Sequence, residues 1–246
     1  AYAAECWIRL GDLPRALGLL DRGERAANAA NHLYSQMVLA IQRGRVLREL
    51  GRLDKAIALL EATASLCREK KFIGQTMGAL TSLGETYALV GRPLDGVPLA
   101  KEAIRLQEEA NAFAGRASMV AALAGLYLDA GQLDLAEATA RDALEFALRR
   151  RERAHEGETR RVMAIVAQNR GDLDGARGHL EAGRAIGEAL GLRPLLGHCH
   201  LALGALYFRM ARGDQARAEL ARAIELFRSM GMAFWLSRAE AALSDN

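Results

Sequence analysis

The chain repeats itself every forty residues. The segments Gly11-Asp-Leu-Pro-Arg-Ala16, Gly51-Arg-Leu-Asp-Lys-Ala56, Gly91-Arg-Pro-Leu-Asp-Gly96, Gly131-Gln-Leu-Asp-Leu-Ala136 and Gly171-Asp-Leu-Asp-Gly-Ala176 begin at intervals of forty. Gly213-Asp-Gln-Ala216 returns its alanine at the same interval, with the glycine displaced by two. A fixed period of this size constrains architecture more firmly than local propensity does, because each unit buries its apolar face only by stacking on its neighbours. Six units account for the chain as one array, approximately 1–30, 31–71, 72–111, 112–151, 152–192 and 193–231, followed by a segment 232–243.

Each unit reads as two helices. A glycine suits the position just past a helix C-terminus, where positive φ is needed, and Pro14 and Pro93 fit a first helical turn, where the missing N–H costs nothing. Between these turns lie two apolar-periodic stretches, for example Ile73 to Val90 and Leu94 to Ala110. Composition agrees: 48 Ala and 39 Leu stand against 7 Val, 8 Ile and 6 Thr, too few β-branched residues for a substantial sheet. The expected fold is all-α, a right-handed α-solenoid of about six helical hairpins. Met232 to Leu243 reads as an amphipathic capping helix with Phe234, Trp235, Ala239 and Leu243 available to pack on the last hairpin.

Small residues recur at fixed places within the period. Leu83-Gly84 precedes Tyr87, Leu123-Ala124 precedes Tyr127 and Leu203-Gly204 precedes Tyr207; downstream come Ala56, Ala136, Ala176 and Ala216, with Ala103, Ala143 and Ala223 as a second small series. Gly or Ala lets two helix backbones approach to the short end of the usual separation, and the tyrosine one turn later fills the space beyond. This pattern resembles the tetratricopeptide repeat (TPR); the match runs through Leu203, Gly204, Tyr207, Ala216 and Ala223, and through Leu123, Ala124, Tyr127, Ala136 and Ala143. The forty-residue period exceeds the thirty-four of the TPR consensus, and Glu108 stands in the neighbourhood of the consensus closing proline, so longer second helices or exits are expected. Arg193 to Tyr207 and Met230 to Leu243 resemble the C-terminal TPR arms of bacterial MalT-like regulators and of multidomain ATPase and adenylate cyclase signalling proteins. No GxxxxGK[ST] phosphate loop occurs in the chain.

The ends shape a further expectation. The chain does not begin with Met, and its first copy has only about ten residues before Gly11, so it reads as a fragment whose missing N-terminal neighbour covers Tyr2, Cys6 and Trp7. The cysteines Cys6, Cys67 and Cys199 suggest neither a disulfide framework nor a CxxC metal site, which makes the cytoplasm the default. No run of about eighteen apolar residues reads as a membrane span, and the start lacks a signal pattern. With 33 basic and 30 acidic residues the net charge is +3, so nucleic acid is not an expected partner on charge alone.

Reaction centres are hard to find. His198, Cys199 and His200 form a metal-like cluster, but helix residues two apart point about 200° away from each other, so packing is the expected role. The same spacing speaks against a Cys-His nucleophile pair. His32, His155 and His179 read as surface residues. Glu108 and Glu109, like the Arg149-Arg-Arg151-Glu-Arg153 run with Arg160 and Arg161, fit solvated helix faces and ends. No enzyme activity, metal or cofactor is expected.

Function is therefore expected on the concave surface lined by first helices. Carried over by register, the candidate partner-binding residues are Gln42, Arg45 and Arg48; Ser82 and Glu85; Ala121, Gly125 and Leu128; Arg161, Ile165, Gln168 and Asn169; and Leu201, Ala205 and Phe208. The Lys and paired Asn that hold a peptide carboxylate in some TPR grooves are replaced here by pairs such as Ile41 and Gln42, Thr81 and Ser82, or Arg161 and Val162. The leading expectation is a scaffold for protein or peptide, whether other domains of its own parent or a second copy, as the arm of a bacterial signalling protein. The alternative is a sensor arm that binds a small-molecule inducer and regulates an attached ATPase, cyclase or transcription-regulator domain.

Overall fold

The computed structural model describes residues 2–112 and 115–244. Among them are thirteen α-helices and no strand. Six hairpins follow in order: α1 (Tyr2–Leu10) with α2 (Leu13–Ala29), α3 (Leu33–Glu49) with α4 (Leu53–Glu69), and α5 (Ile73–Leu89) with α6 (Pro93–Glu109). Then come α7 (Arg116–Asp129) with α8 (Leu133–Arg150), α9 (Arg153–Arg170) with α10 (Leu173–Leu190), and α11 (Arg193–Arg209) with α12 (Gly213–Met230). A last helix, α13 (Ala233–Ser244), packs on α12.

The turns obey a finer rule than the glycines reveal. Left-handed residues fall every twenty positions: Gly11, Asn31, Gly51, Lys71, Gly91, Asn111, Gly131, Arg151, Gly171, Gly191, Ala211 and Gly231. At Gly51 the geometry is a Schellman turn: Gly51 N–H donates to Arg48 O at 2.9 Å and Arg52 N–H to Leu47 O at 2.8 Å, which pairs carbonyls the helix leaves open. In the sixth unit the left-handed place is taken by Ala211, at φ 57°, while the displaced Gly213 begins α12. The two helices of a unit are matched in length in units two, three and five: α3 and α4 have 17 residues each, as do α5 and α6, and α9 and α10 have 18 each.

The small-residue series lies where the backbones meet. Ala16, Ala56, Ala136, Ala176, Ala216, Ala103, Ala143 and Ala223 are completely buried. First helices touch first helices along the array, α1 on α3, α3 on α5, α5 on α7, α7 on α9 and α9 on α11. The series then closes, because α1 also packs against α11. One apolar core joins Ile8, Leu13, Leu20 and Val46 near the start of the chain to Phe227, Met230, Met232 and Ala239 near its end. Each fully buried Leu, Met or Phe there contributes about 1.5–3 kcal/mol, so the seam is a major piece of core. Trp7 lies half-buried against it beneath the Arg15 guanidinium, 4.7 Å from the ring, whereas Tyr2 and Cys6 are exposed.

Candidate functional site

Closure turns the concave face into a chamber. A cavity of about 600 Å³ is lined by all six first helices and by Trp235 of α13. Its lining slides along the helices as the array turns. From α3 it takes the second half, Gln42, Arg45, Arg48 and Glu49; from α5 and α7 the whole length, Gly74 to Leu89 and Ser118 to Asp129; from α9 and α11 only the first half, His155 to Val162 and Pro194 to His198.

That slide decides where the register-derived residues lie. Gln42, Arg45, Arg48, Glu85, Ala121, Gly125 and Arg161 line the chamber. Ser82 stands behind the wall, its hydroxyl accepting a hydrogen bond from Arg45 Nε at 3.0 Å. Leu128 packs in the core between hairpins. Ile165, Gln168 and Asn169 sit in the second half of α9, beyond the chamber, where the Asn169 amide donates to Ile165 O. Leu201 joins the seam core, Phe208 packs with Tyr207 and Ala216, and Ala205 is exposed. A fixed register assumes no twist from unit to unit, and the α9 and α11 residues lie past the point where the twist has carried their helices away from the lumen. Glu5, Arg9, Glu49, Asp129, His155, Glu158, His198 and Trp235 also line it. For Glu5, Arg9, Glu49, Asp129 and His198 the signal in the sequence is a charged or polar residue among apolar neighbours on a first helix, which has meaning only once closure is known.

The walls carry charges of both signs, mostly in pairs. Arg9 bridges Glu5 at 3.5 Å and Glu158 at 3.4 Å, linking α1 to α9, and its Nη2 meets His155 Nε2 at 3.1 Å. His155, expected at the surface, thus belongs to the chamber; its other ring nitrogen faces Glu152 at 3.1 Å. Arg45 lies 3.7 Å from Glu5, and Arg48 pairs with Glu49 at 3.2 Å and with Glu85. Burial lowers the Arg45 pKa; for Arg48 the burial is outweighed by Glu85 and Glu49, which raise it. Burial also raises the Glu49 carboxyl. Two buried polar atoms of the wall, Gln42 Oε1 and Trp235 Nε1, have no hydrogen-bond partner among the described residues.

The His198-Cys199-His200 cluster is split across helix faces. His198 turns to the lumen, with its ring 4.4 Å edge-on from Trp235 and 5.3 Å from Phe227; burial, then Arg161 and Arg48, hold it well below the ordinary histidine value. Cys199 is wholly buried and its thiol is pushed up to about 11. His200 points away, its Nδ1 2.5 Å from Glu219 Oε2. Of the other histidines, His32 caps α3 by accepting from Ser35 N–H, and His179 is half-buried on α10. Half of the basic run is paired locally, Arg149 with Glu145, Arg153 with Glu156 at 3.6 Å and Arg160 with Glu156 at 2.8 Å.

No family model matches the chain. A curated relative is the protein kinesin light chain-related 1 of Arabidopsis thaliana, 24% identical over 189 residues; the match takes in 73% of this chain and 31% of that protein, so the chain spans about a third of its relative's length. Among solved structures, BtubC (BKLC) from P. vanneervenii superposes with a TM-score of 0.60 at 18% identity, covering 92% of each chain. A Rap protein complexed with competence and sporulation factor superposes with a TM-score of 0.69 at 17% identity, covering 86% of this chain and 57% of that one. Taken with the left-handed turn every twenty residues, these likenesses make the chain a TPR-like helical solenoid.

Proposed function

We propose that this array is a non-enzymatic ligand-binding module that takes a short peptide into its central chamber, as the arm of a larger cytoplasmic bacterial regulatory protein. The observation that carries the reading is the chamber itself: every first helix contributes to one lumen of about 600 Å³, lined by both apolar and charged side chains, within the range of roughly 300–1,000 Å³ usual for ligand sites. An α-helix with its side chains is about 10–12 Å across, so the space suits a few extended residues better than a docked partner helix. Rap proteins in complex with competence and sporulation factor, and with the Phr* peptide, share the fold and support peptide as the ligand class. The resemblance of the closing stretch to MalT-like arms supports the regulatory setting.

Gly125 supplies the test, since it faces the lumen and nothing lies within 4 Å of the place its Cβ would take. Gly125→Phe sets a ring in the lumen on a Cβ that meets no neighbour. Calorimetry against a pool of random pentapeptides is expected to show binding by the native chain and none by the variant, at equal melting temperature. Binding that survives the blockage places the site elsewhere. The second reading, a small-molecule inducer, is favoured by the size of the lumen; the same two proteins titrated with a metabolite panel distinguish it.

A further inference from the structure

The left-handed glycines between the two helices of a unit share one backbone conformation but not one environment. Gly51 and Gly131 stand at φ 73° and 72°, and Gly11, Gly91 and Gly171 are left-handed too. A Cβ at Gly91, Gly131 or Gly171 would meet nothing within 4 Å. At Gly51 it would stand 2.5 Å from Phe234 Cβ and 3.3 Å from the Phe234 backbone nitrogen, and at Gly11 it would strike Met230 and lie 3.3 Å from Arg193 Cβ. The glycines of the first two units are therefore seats for the far end of the chain, where no side chain has room. α13 makes the longer reach. Phe234 sits on the α3–α4 turn, its neighbour Trp235 meets His198 of α11 with ring centroids 4.4 Å apart, and Glu240 pairs with Arg228 of α12 at 3.0 Å. Trp235 also lines the lumen. One helix thus ties the sixth unit to the second, across the first. Its hold is light, since only Ala239 of its twelve residues is buried. The docked position also seals the Trp235 indole N–H without a hydrogen-bond partner among the described residues, a cost that undocking removes. The joint to α12 is Gly231, left-handed at φ 71° and with nothing within 4 Å of its missing Cβ.

We propose that α13 is a latch over the chamber: docked on Gly51 it holds the two ends of the array together and closes the lumen, and released about Gly231 it admits bulky molecules. The proposal concerns access, and it stands whatever occupies the chamber. A hinged terminal helix held by few buried groups belongs to the low-stability end of a fold, which opens locally before the whole unfolds. The glycines supply a matched pair of perturbations. With φ the same, an alanine carries the same left-handed strain at Gly51 and at Gly131, and only at Gly51 does it also evict Phe234.

Gly125→Cys in a Cys6→Ser background places a thiol in the lumen, and the wholly buried Cys67 and Cys199 serve as internal gauges of global unfolding. The rate at which fluorescein maleimide labels the lumen thiol is compared in that protein and in versions carrying Gly51→Ala, Gly131→Ala or Phe234→Ala. Gly51→Ala is expected to speed labelling at least fivefold and Gly131→Ala less than twofold, with Cys67 and Cys199 unlabelled in both. Phe234→Ala, which withdraws the ring from the turn, is expected to act in the same direction as Gly51→Ala. In a Trp7→Phe background, where Trp235 is the sole tryptophan, acrylamide should quench the fluorescence more strongly in Gly51→Ala than in Gly131→Ala. Equal labelling rates for these two variants overturn the latch. If Gly51→Ala also releases Cys67 and Cys199, the array has unfolded and Phe234→Ala decides, an unchanged rate there overturning the latch. Stronger quenching of Trp235 with no gain in labelling means that α13 moves without closing the chamber, and overturns it too.

Discussion

Changing Ala140 to Leu is expected to destabilise the array, and changing Ala124 to Gly in the same protein is expected to rescue it. The reasoning comes from equivalent places in other hairpins. A Cβ built at Gly44 would stand 2.6 Å from Leu60 Cδ2, and one at Gly204 would stand 2.5 Å from Leu220 Cγ, far inside the ~3.5–4.0 Å of favourable carbon contact. Hairpins two and six therefore pair Gly with Leu across the same helix crossing. In hairpin four that place holds Ala124 and Ala140, packed in one buried cluster. Ala140→Leu alone adds three carbons against the Ala124 methyl, an overpacking cost of about 1–3 kcal/mol. Ala124→Gly alone costs about 1 kcal/mol of helix propensity. Together they recreate the Gly44–Leu60 pair and bury the added carbons at about 0.8 kcal/mol each, so the favourable coupling should be about 1–3 kcal/mol. Urea unfolding of the four proteins measures it. Additivity within about 0.5 kcal/mol refutes the claim that small residues set the distance between paired helices.

Ala211→Gly should stabilise the chain by about 1 kcal/mol, because it returns glycine to a left-handed position where alanine is strained; a melting temperature that does not rise counts against it. Glu219 is pushed up by burial but drawn down further by His200, so its pKa lies below the ordinary value. A lowered pKa gives stability that is present above the unfolded value of about 4.3 and lost as pH falls through the folded one. The stability gap between the native chain and Glu219→Gln should accordingly be largest near neutral pH and shrink in acid, as urea midpoints across that window will show. Cys6 is exposed while Cys67 and Cys199 are buried with raised thiol pKa values, so a thiol reagent should label one cysteine in the native protein and three after denaturation.

What the sequence made legible was local. The period was visible because glycine occupies alternate left-handed turns, and the buried alanines because they repeat with it. Four of the six intervening turns were invisible to a search for glycine, since Asn31, Lys71, Asn111 and Arg151 fill them and only Gly191 and Gly231 occupy the other two; of the four, only the asparagines carry a recognisable preference for that conformation. The chamber residues of α3 were found by register and those of α11 were not. Register is a property of one unit, whereas the sliding of the lumen from the second half of α3 to the first half of α11 is the accumulated twist of all of them. The seam depends on contacts between residues about two hundred apart, such as Gly11 against Met230 and Gly51 against Phe234, and no window of the sequence contains both.

Closure changes the physics of a repeat array as well as its shape. In an open solenoid each unit contacts only its neighbours, and stability is close to a sum of unit and nearest-neighbour contributions. Here hairpin one shares its core with hairpins two and six and with α13, and Arg9 of the first unit is paired with Glu158 of the fifth. Loosening any unit therefore strains the seam, and parting the seam exposes Leu13, Leu20, Phe227 and Met232 together, all at 0–1% exposure. The same connectivity applies to binding. A ligand touching α3, α9 and α13 at once stabilises only the closed arrangement, by an amount that grows as RT ln(1 + [L]/Kd). Occupancy of the lumen is thereby coupled to the meeting of the two ends of the array, a coupling that an open groove built from identical hairpins would lack.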